Sequence, residues 1–346
     1  MNMSHLDNIR IVLAEPNSEI RSVLVENLRG FGFKSIIPTG NLSRIVNAVR
    51  AGEVDLVIAD TSLPEGDFNH FVRELRHGRE GHNPFLVVIT LVDEPSSQAV
   101  HAAINSGTDH VLAKPFSPEH LMEKIHELTH ARKRFVVTSD YIGPDRRTAR
   151  RKGTMEVPLI DVPNPLHHRL SGHTSDNHIK HIVDSAKLKI NEQMVQRQAY
   201  QIGWLLDEAW PELSQVQAGA SVEQAVNLQR LSHVASDLCT RLKGTNFAHV
   251  AEICLTLERM LGEALDGGLN DADMDLMGRM GEILNSAFDP TRETLAMDYQ
   301  RRSRALNVFE GDEPKADEKD NVVNVYNDND AEQTPSSKKV AAVAIS

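Results

Sequence analysis

Val54-Asp-Leu-Val-Ile-Ala-Asp60-Thr-Ser-Leu-Pro64 is an apolar run that ends on a carboxylate and then turns. Its centre, Leu56 to Ala59, lacks the polar alternation of a strand with one wet face, so it reads as a strand buried on both faces of a parallel sheet. Working outward, Ile9-Arg-Ile-Val-Leu-Ala14, Lys34-Ser-Ile-Ile37, Phe85-Leu-Val-Val-Ile89 and Val111-Leu-Ala113 read as strands too. Helical stretches separate them. Ser18 to Gly30 carries Ile20, Val23, Leu24 and Leu28 at 3/4 spacing and stops at glycine. Asn41 and Asp67 suit helix N-caps, and Pro95 and Pro118 sit where a first turn tolerates proline. Five β/α repeats joined by right-handed crossovers predict an α/β, doubly wound parallel sheet over residues 8–132, with ligands bound beyond the carboxyl ends of its strands.

A chain of 346 residues is too long for that unit alone and suggests two or three domains. Residues 133–177 lose periodicity at Pro144, Pro158, Pro163 and Pro165, and gather Arg146, Arg147, Arg150, Arg151 and Lys152, so they read as a basic linker or docking segment. Residues 178–306 return to helical spacing. Leu228, Leu231, Ala235, Leu238 and Leu242, then Val250, Ile253, Leu257 and Leu261, predict amphipathic helices that bury their faces in a bundle. Residues 307–346 are rich in Asp, Glu and Asn, without periodicity, and read as a disordered acidic tail. A net charge of −12 argues against general affinity for nucleic acid. Cys239 and Cys254 lie in apolar surroundings without a CxxC pattern and read as reduced core residues, as in a cytoplasmic protein. No run approaches the roughly 20 apolar residues of a membrane-spanning helix.

The strand ends carry the chemistry. Asp60, Thr90 and Lys114 fall at the ends of three strands and therefore meet at one rim of the sheet: a carboxylate nucleophile, a hydroxyl for a phosphoryl oxygen, and a fixed positive charge. Residues 8–132 resemble the receiver domain of bacterial response regulators, through Asp60-Thr-Ser-Leu-Pro64, Ile89-Thr90, the Gly107-Thr-Asp109 turn and Lys114-Pro115-Phe116. The resemblance implies a flavodoxin-like five-stranded fold, phosphorylation of Asp60, magnesium as cofactor, and a sensor histidine kinase or phosphotransfer protein as partner. It also implies the metal ligands: the second of an acidic pair, the phosphoacceptor, and a backbone carbonyl two residues later. Those positions are Pro16, Asp60 and Ser62, and only Glu15 remains from the pair. Pro16 has no side-chain oxygen, Leu91 stands where the family has a small residue, and Val111 where it often has an aromatic switch.

Thr240-Arg-Leu-Lys-Gly244 resembles a fragment of a histidine-phosphotransfer bundle with Thr240 in the place of the phosphorylated histidine. A hydroxyl cannot replace an imidazole as a phosphoramidate carrier, so no relay is expected there. His167, His168, His173, His178 and His181 invite a metal reading, but sequence spacing supplies no third ligand to the i, i+3 pair His178 and His181. The expected whole is a non-enzymatic response regulator in which Asp60 accepts phosphate and the receiver controls a helical domain that engages a protein partner. Two alternatives stand beside it: a pseudo-receiver that docks partners without phosphorylation, and a DNA-binding regulator using the linker arginines.

Overall fold

The computed structural model describes residues 6–93, 96–147, 157–172, 176–217, 225–243, 250–266 and 270–288. A short 3-10 turn, Leu6–Asn8, leads into β1 (Arg10–Ala14), α1 (Ser18–Gly30), β2 (Ser35–Thr39), α2 (Leu42–Arg50), β3 (Leu56–Asp60), α3 (Phe68–Arg76), β4 (Val87–Val92), α4 (Ser97–Asn105), β5 (His110–Ala113) and α5 (Pro118–His130). All pairings among these strands are parallel, in the order β2-β1-β3-β4-β5. This is the flavodoxin-like doubly wound arrangement, whose strand order reverses beside β1 and opens a crevice at the carboxyl ends of β1 and β3.

Both faces of the sheet are covered, as the unbroken apolar strands require. Leu13, Ile58, Ile89 and Leu112 pack with Leu24, Leu28, Leu121 and Ile125 on the α1 and α5 side. Val12, Val57 and Val88 pack with Ile45, Phe68, Val72 and Leu75 on the α2 and α3 side. Local chemistry sets the helix starts: Asn17 accepts from the Glu19 and Ile20 amides, Asp67 from Asn69, and Ser117 from His120, with Pro118 in the first turn of α5. Asn41 precedes α2 but makes no side-chain cap; its Oδ1 instead accepts from the Thr39 hydroxyl at 3.0 Å. Ser96 caps α4. Pro95, expected in that first turn, lies outside the described residues.

The stretch read as a linker needs revision where it is described. Phe135–Val137 (β6) and Ile142–Pro144 (β7) form an antiparallel hairpin, Ile160 bridges to Phe135, and α6 (Pro165–Ser171) packs beside α5. The prolines interrupt periodicity, but the apolar residues between them are buried: Phe135 and Leu166 are fully covered, and Ile142 nearly so. Two of the five basic residues are also engaged. Arg146 donates to the carbonyl oxygens of Thr108 and Asp109, the latter at 2.9 Å, and Arg147 pairs with Asp145 at 2.7 Å. Arg150, Arg151 and Lys152 lie outside the described residues.

One continuous helix of 42 residues follows, α7 (Asp176–Gln217), then α8 (Val226–Leu242), α9 (Ala251–Leu265) and α10 (Asp271–Phe288). The second half of α7 packs with the three shorter helices around one core that includes Ile202, Leu205, Leu213, Leu231, Leu238, Leu257, Leu261 and Leu284. Cys239 and Cys254 are free and buried there. The first half of α7 belongs elsewhere. Val183, Ala186, Ile190 and Met194 share an apolar cluster with Phe85, Phe135, Val137, Ile142 and Ile160. The acidic tail expected over residues 307–346 lies outside the described residues. No helix among the described residues is long and apolar enough to cross a membrane.

Candidate functional site

The carboxyl ends of β1, β3, β4 and β5 deliver Glu15, Asp60, Asp93 and Lys114 to one place. The register pairs Ala14 with Ala59, Asp60 with Leu91, and Val92 with Ala113, so the next residues out are brought to one rim by backbone alone. Lys114 Nζ sits at the centre. It contacts Glu15 Oε2 at 2.5 Å, Asp93 Oδ1 at 2.9 Å, and Asp60 Oδ2. Burial acts to lower the lysine pKa, but the hydrogen bonds to Asp60, Glu15 and Asp93 outweigh it and raise the pKa, so the ammonium stays charged.

Asp60 is fully buried. Its Oδ1 accepts from the Ser62 amide at 2.6 Å and from the Ser62 hydroxyl, while Lys114 holds Oδ2. Glu15 is covered as well: its Oε1 accepts from the Asn17 amide at 2.9 Å, and Arg21 donates to its backbone carbonyl at 2.5 Å. Ser62, expected to offer a backbone carbonyl to a metal, here acts through its amide and hydroxyl as a donor to Asp60. The Lys114-Pro115 bond is cis.

Thr90 points elsewhere. Its hydroxyl donates to Thr108 Oγ1 at 2.8 Å, and Thr108 in turn donates to the Val88 carbonyl at 3.0 Å. Both threonines are fully buried. The structure therefore brings Asp60, Lys114, Glu15 and Ser62 together, and holds Thr90 on the neighbouring strand bonded to the α4–β5 turn. Leu91 faces Asp60 across the β3–β4 register and is fully buried in the α1/α5 core. Val111 packs with Val92 and Ala103.

As placed, these residues do not fit a divalent cation. The point on which three carboxylates converge is filled by the Lys114 ammonium, and Pro16 contributes no side-chain oxygen. A hard ion such as magnesium needs near-ideal octahedral oxygen ligation. Among the described residues no group of three or more His, Cys, Asp or Glu is already arranged to hold a metal ion.

Sequence reasoning missed Asp93 and Arg21. Asp93 had a readable signal, being the first acidic residue beyond the carboxyl end of β4. Arg21 had none, since its role depends on how α1 leaves the sheet. The Gly107-Thr-Asp109 turn was legible as a motif but not as a hub. Asp109 is buried among two guanidinium groups, Arg76 at 2.9 Å and Arg132 at 2.8 Å, and also accepts from the Val88 amide at 2.9 Å. Burial works to raise its pKa, but Arg132 and Arg76 hold it below the usual carboxylate value. The Phe135 ring lies 5.3 Å from the Arg76 guanidinium and 5.0 Å from that of Arg132. Gly107 has φ +92°, and a Cβ there would stand 2.5 Å from the Ile142 carbonyl, so only glycine lets the hairpin close on this turn.

The bundle meets the sheet domain through Asp237 of α8. It accepts from Arg79 at 2.6 Å, Gln198 at 2.5 Å and Arg241 at 2.7 Å, while Arg241 contacts His77 Nδ1 at 2.8 Å. Thr240 is exposed, and its hydroxyl donates to the Ser236 carbonyl at 3.2 Å.

Comparison with known proteins decides what the sheet domain is. The response regulator receiver domain family matches residues 11–126. Residues 11–126 are a receiver domain of two-component response regulators. The chain is 28% identical over 158 residues to the KDP operon transcriptional regulatory protein KdpE of Escherichia coli, a match spanning 44% of this chain and 68% of that protein. It is 27% identical to the phosphate regulon regulatory protein PhoB of the same species over 34% of this chain and 49% of that one. The probable chemotaxis protein CheY of Rhizobium etli matches at 25% identity across 94% of its length. Among solved structures, chemotaxis response regulator CheY4 of Vibrio cholerae superposes with a TM-score of 0.31 and 19% identity, covering 35% of this chain and 98% of that one. The curated relatives thus match the receiver, and the chain spans about half the length of PhoB.

Proposed function

We propose that this chain is a cytoplasmic response-regulator protein of a two-component phosphorelay whose receiver governs the helical bundle through α7. One observation carries the reading. α7 is a single helix of 42 residues, about 63 Å long, with its first half packed on the receiver hairpin and its second half in the bundle core. An element shared in this way passes a displacement of the hairpin on to the bundle.

In this reading Asp60 is the phosphoacceptor: a carboxylate oxygen bonds to phosphorus as the bond to the donor nitrogen of a histidine kinase or phosphotransfer protein breaks. Lys114 and Thr90 hold the acquired charge. Thr90 reaches the phosphoryl group only by leaving Thr108, whose carbonyl Arg146 holds, so occupancy of Asp60 is felt at Arg146, then by the β6–β7 hairpin that precedes it and by α7. The role is signalling rather than turnover of a small molecule, and the bundle is the surface for a protein partner. Engagement of Arg146 and Arg147 disfavours DNA binding through the arginine cluster.

A second reading rests on Pro16. With no side-chain oxygen at that position and Asp60 closed by Ser62 and Lys114, the receiver serves as a pseudo-receiver that docks partners without phosphorylation. Intact-mass measurement after incubation with a small acyl phosphate and magnesium separates the two. One phosphate adduct in the wild type, absent from Asp60→Asn, is the result expected of the acceptor. An adduct seen only after Pro16→Asp assigns the wild type to the second reading, and no adduct in either protein removes Asp60 phosphorylation.

A further inference from the structure

Asn164 fixes two helices that the sequence keeps far apart. Its Nδ2 donates to the carbonyls of Leu128 at 2.8 Å and Thr129 at 3.0 Å, in the last turn of α5, while it caps the start of α6. Leu166 anchors the same junction and is fully buried. The consequence is a row of imidazoles across the α5–α6 seam. His126 and His130, at i and i+4 on α5, have ring centres 4.5 Å apart; His167 of α6 lies 6.4 Å from His130, and His168 6.3 Å from His167. His126, His130 and His167 are exposed.

We propose that His126 and His130 form a chelating pair for a divalent transition ion, zinc being the probe, with His167 as a third ligand from α6. Two histidines four residues apart on a helix present their rings on one face, the spacing that zinc-binding helices use. An imidazole holds zinc about 3 Å from its ring centre, so rings that share an ion lie within about 6 Å of each other. The His126–His130 pair is inside that limit. His167, 6.4 Å from His130, lies just outside it and enters by a side-chain rotation, which is why no three ligands already surround one point. Water completes the tetrahedron.

Neutral imidazole is the form that ligates. The residues differ from those the sequence brought forward. His167 was singled out together with His168, His173, His178 and His181, but its ligand partners come from α5, 37 and 41 positions earlier in the numbering. A bound ion would tie the α6 segment, which precedes α7, to the last helix of the receiver.

The test uses the full chain, stripped with a chelator and titrated with zinc chloride in competition with a chromophoric chelator at pH 7.5. The expected result is a site of about micromolar affinity. It weakens about tenfold or more in His126→Ala and in His130→Ala, and severalfold in His167→Ala. His101→Ala, on exposed α4, leaves it unchanged. Zinc also raises the melting temperature of the wild type and not that of the double variant His126→Ala/His130→Ala. Because these rings are exposed, the zinc-free melting temperatures are expected to match; if His130→Ala shifts it, the His126→Ala titration decides. Equal zinc affinity in wild type and double variant, or no binding tighter than about millimolar, overturns the proposal.

Discussion

Asp109→Ala is expected to destabilise the receiver by about 3–5 kcal/mol, the cost of removing one partner from a buried ion pair. The Arg76 and Asp109 side chains are 1% and 0% exposed, and that of Arg132 is 4% exposed. Burial already pushes the Arg76 guanidinium down to about 10, against the pull of Asp109. Removing the carboxylate leaves two guanidinium groups stacked near one phenyl ring without a counter-charge, and leaves the Val88 amide without its acceptor. Domains of this size are stable by only about 5–15 kcal/mol, so the variant loses a large share of its margin. Urea denaturation followed by circular dichroism measures the loss. Glu263→Ala breaks an exposed i, i+4 pair with Arg259 and is expected to cost no more than about 0.5 kcal/mol. A loss below about 1 kcal/mol for Asp109→Ala would show that the guanidinium groups find water or other acceptors.

Acidification is expected to loosen the contact between receiver and bundle, with His77 as the main local cause. Its Nδ1 faces Arg241; burial first, then Arg241, Arg79 and Arg73 lower its pKa to about 3, while Asp237 alone opposes them. An unfolded histidine titrates near 6.5. The folded state therefore binds fewer protons than the unfolded one below about pH 6.5, and stability present above that pH falls as the pH drops toward 3. Each such histidine contributes a slope of up to about 1.4 kcal/mol per pH unit in that window. His110 acts in the same direction, because burial, then Lys124 and Arg146, lower its pKa to about 4. His77→Gln should remove roughly one proton's worth of slope between pH 5 and 6 and leave the part due to His110. Asp237, whose carboxylate Arg241 and Arg79 hold well below the ordinary range despite its burial, adds its loss only below about pH 4. An unchanged slope in His77→Gln would place the acid sensitivity elsewhere.

How much of this was legible in the sequence follows from which interactions are local. The strand Leu56–Asp60, the capped starts of α1, α3 and α5, and the convergence of Asp60 and Lys114 on one rim depend on runs, caps and strand ends, all written in neighbouring residues. Thr90 was placed on the right strand, but its hydroxyl answers to Thr108, eighteen positions away. The described parts of the 133–177 stretch, Phe135–Val137, Ile142–Pro144, Ile160 and Pro165–Ser171, pack against the receiver although the stretch reads as a linker, because prolines break the periodicity by which a packed segment is recognised. Burial of Phe135, Ile142, Ile160 and Leu166 becomes visible only when Phe85 and the receiver are in place.

The sequence by itself determined a doubly wound receiver, the place of Asp60 at a strand end, the lack of a side-chain oxygen at Pro16 and the threonine at position 240. Those are properties of residue identity and spacing. Only the tertiary structure decided that Lys114 holds three carboxylates, that Arg146 closes on the turn beside Thr108, that α7 serves both the receiver and the bundle, and that His167 stands beside His130. Each of these joins residues from separate elements, and their meeting is set by how buried apolar faces pack, which one-dimensional spacing does not carry.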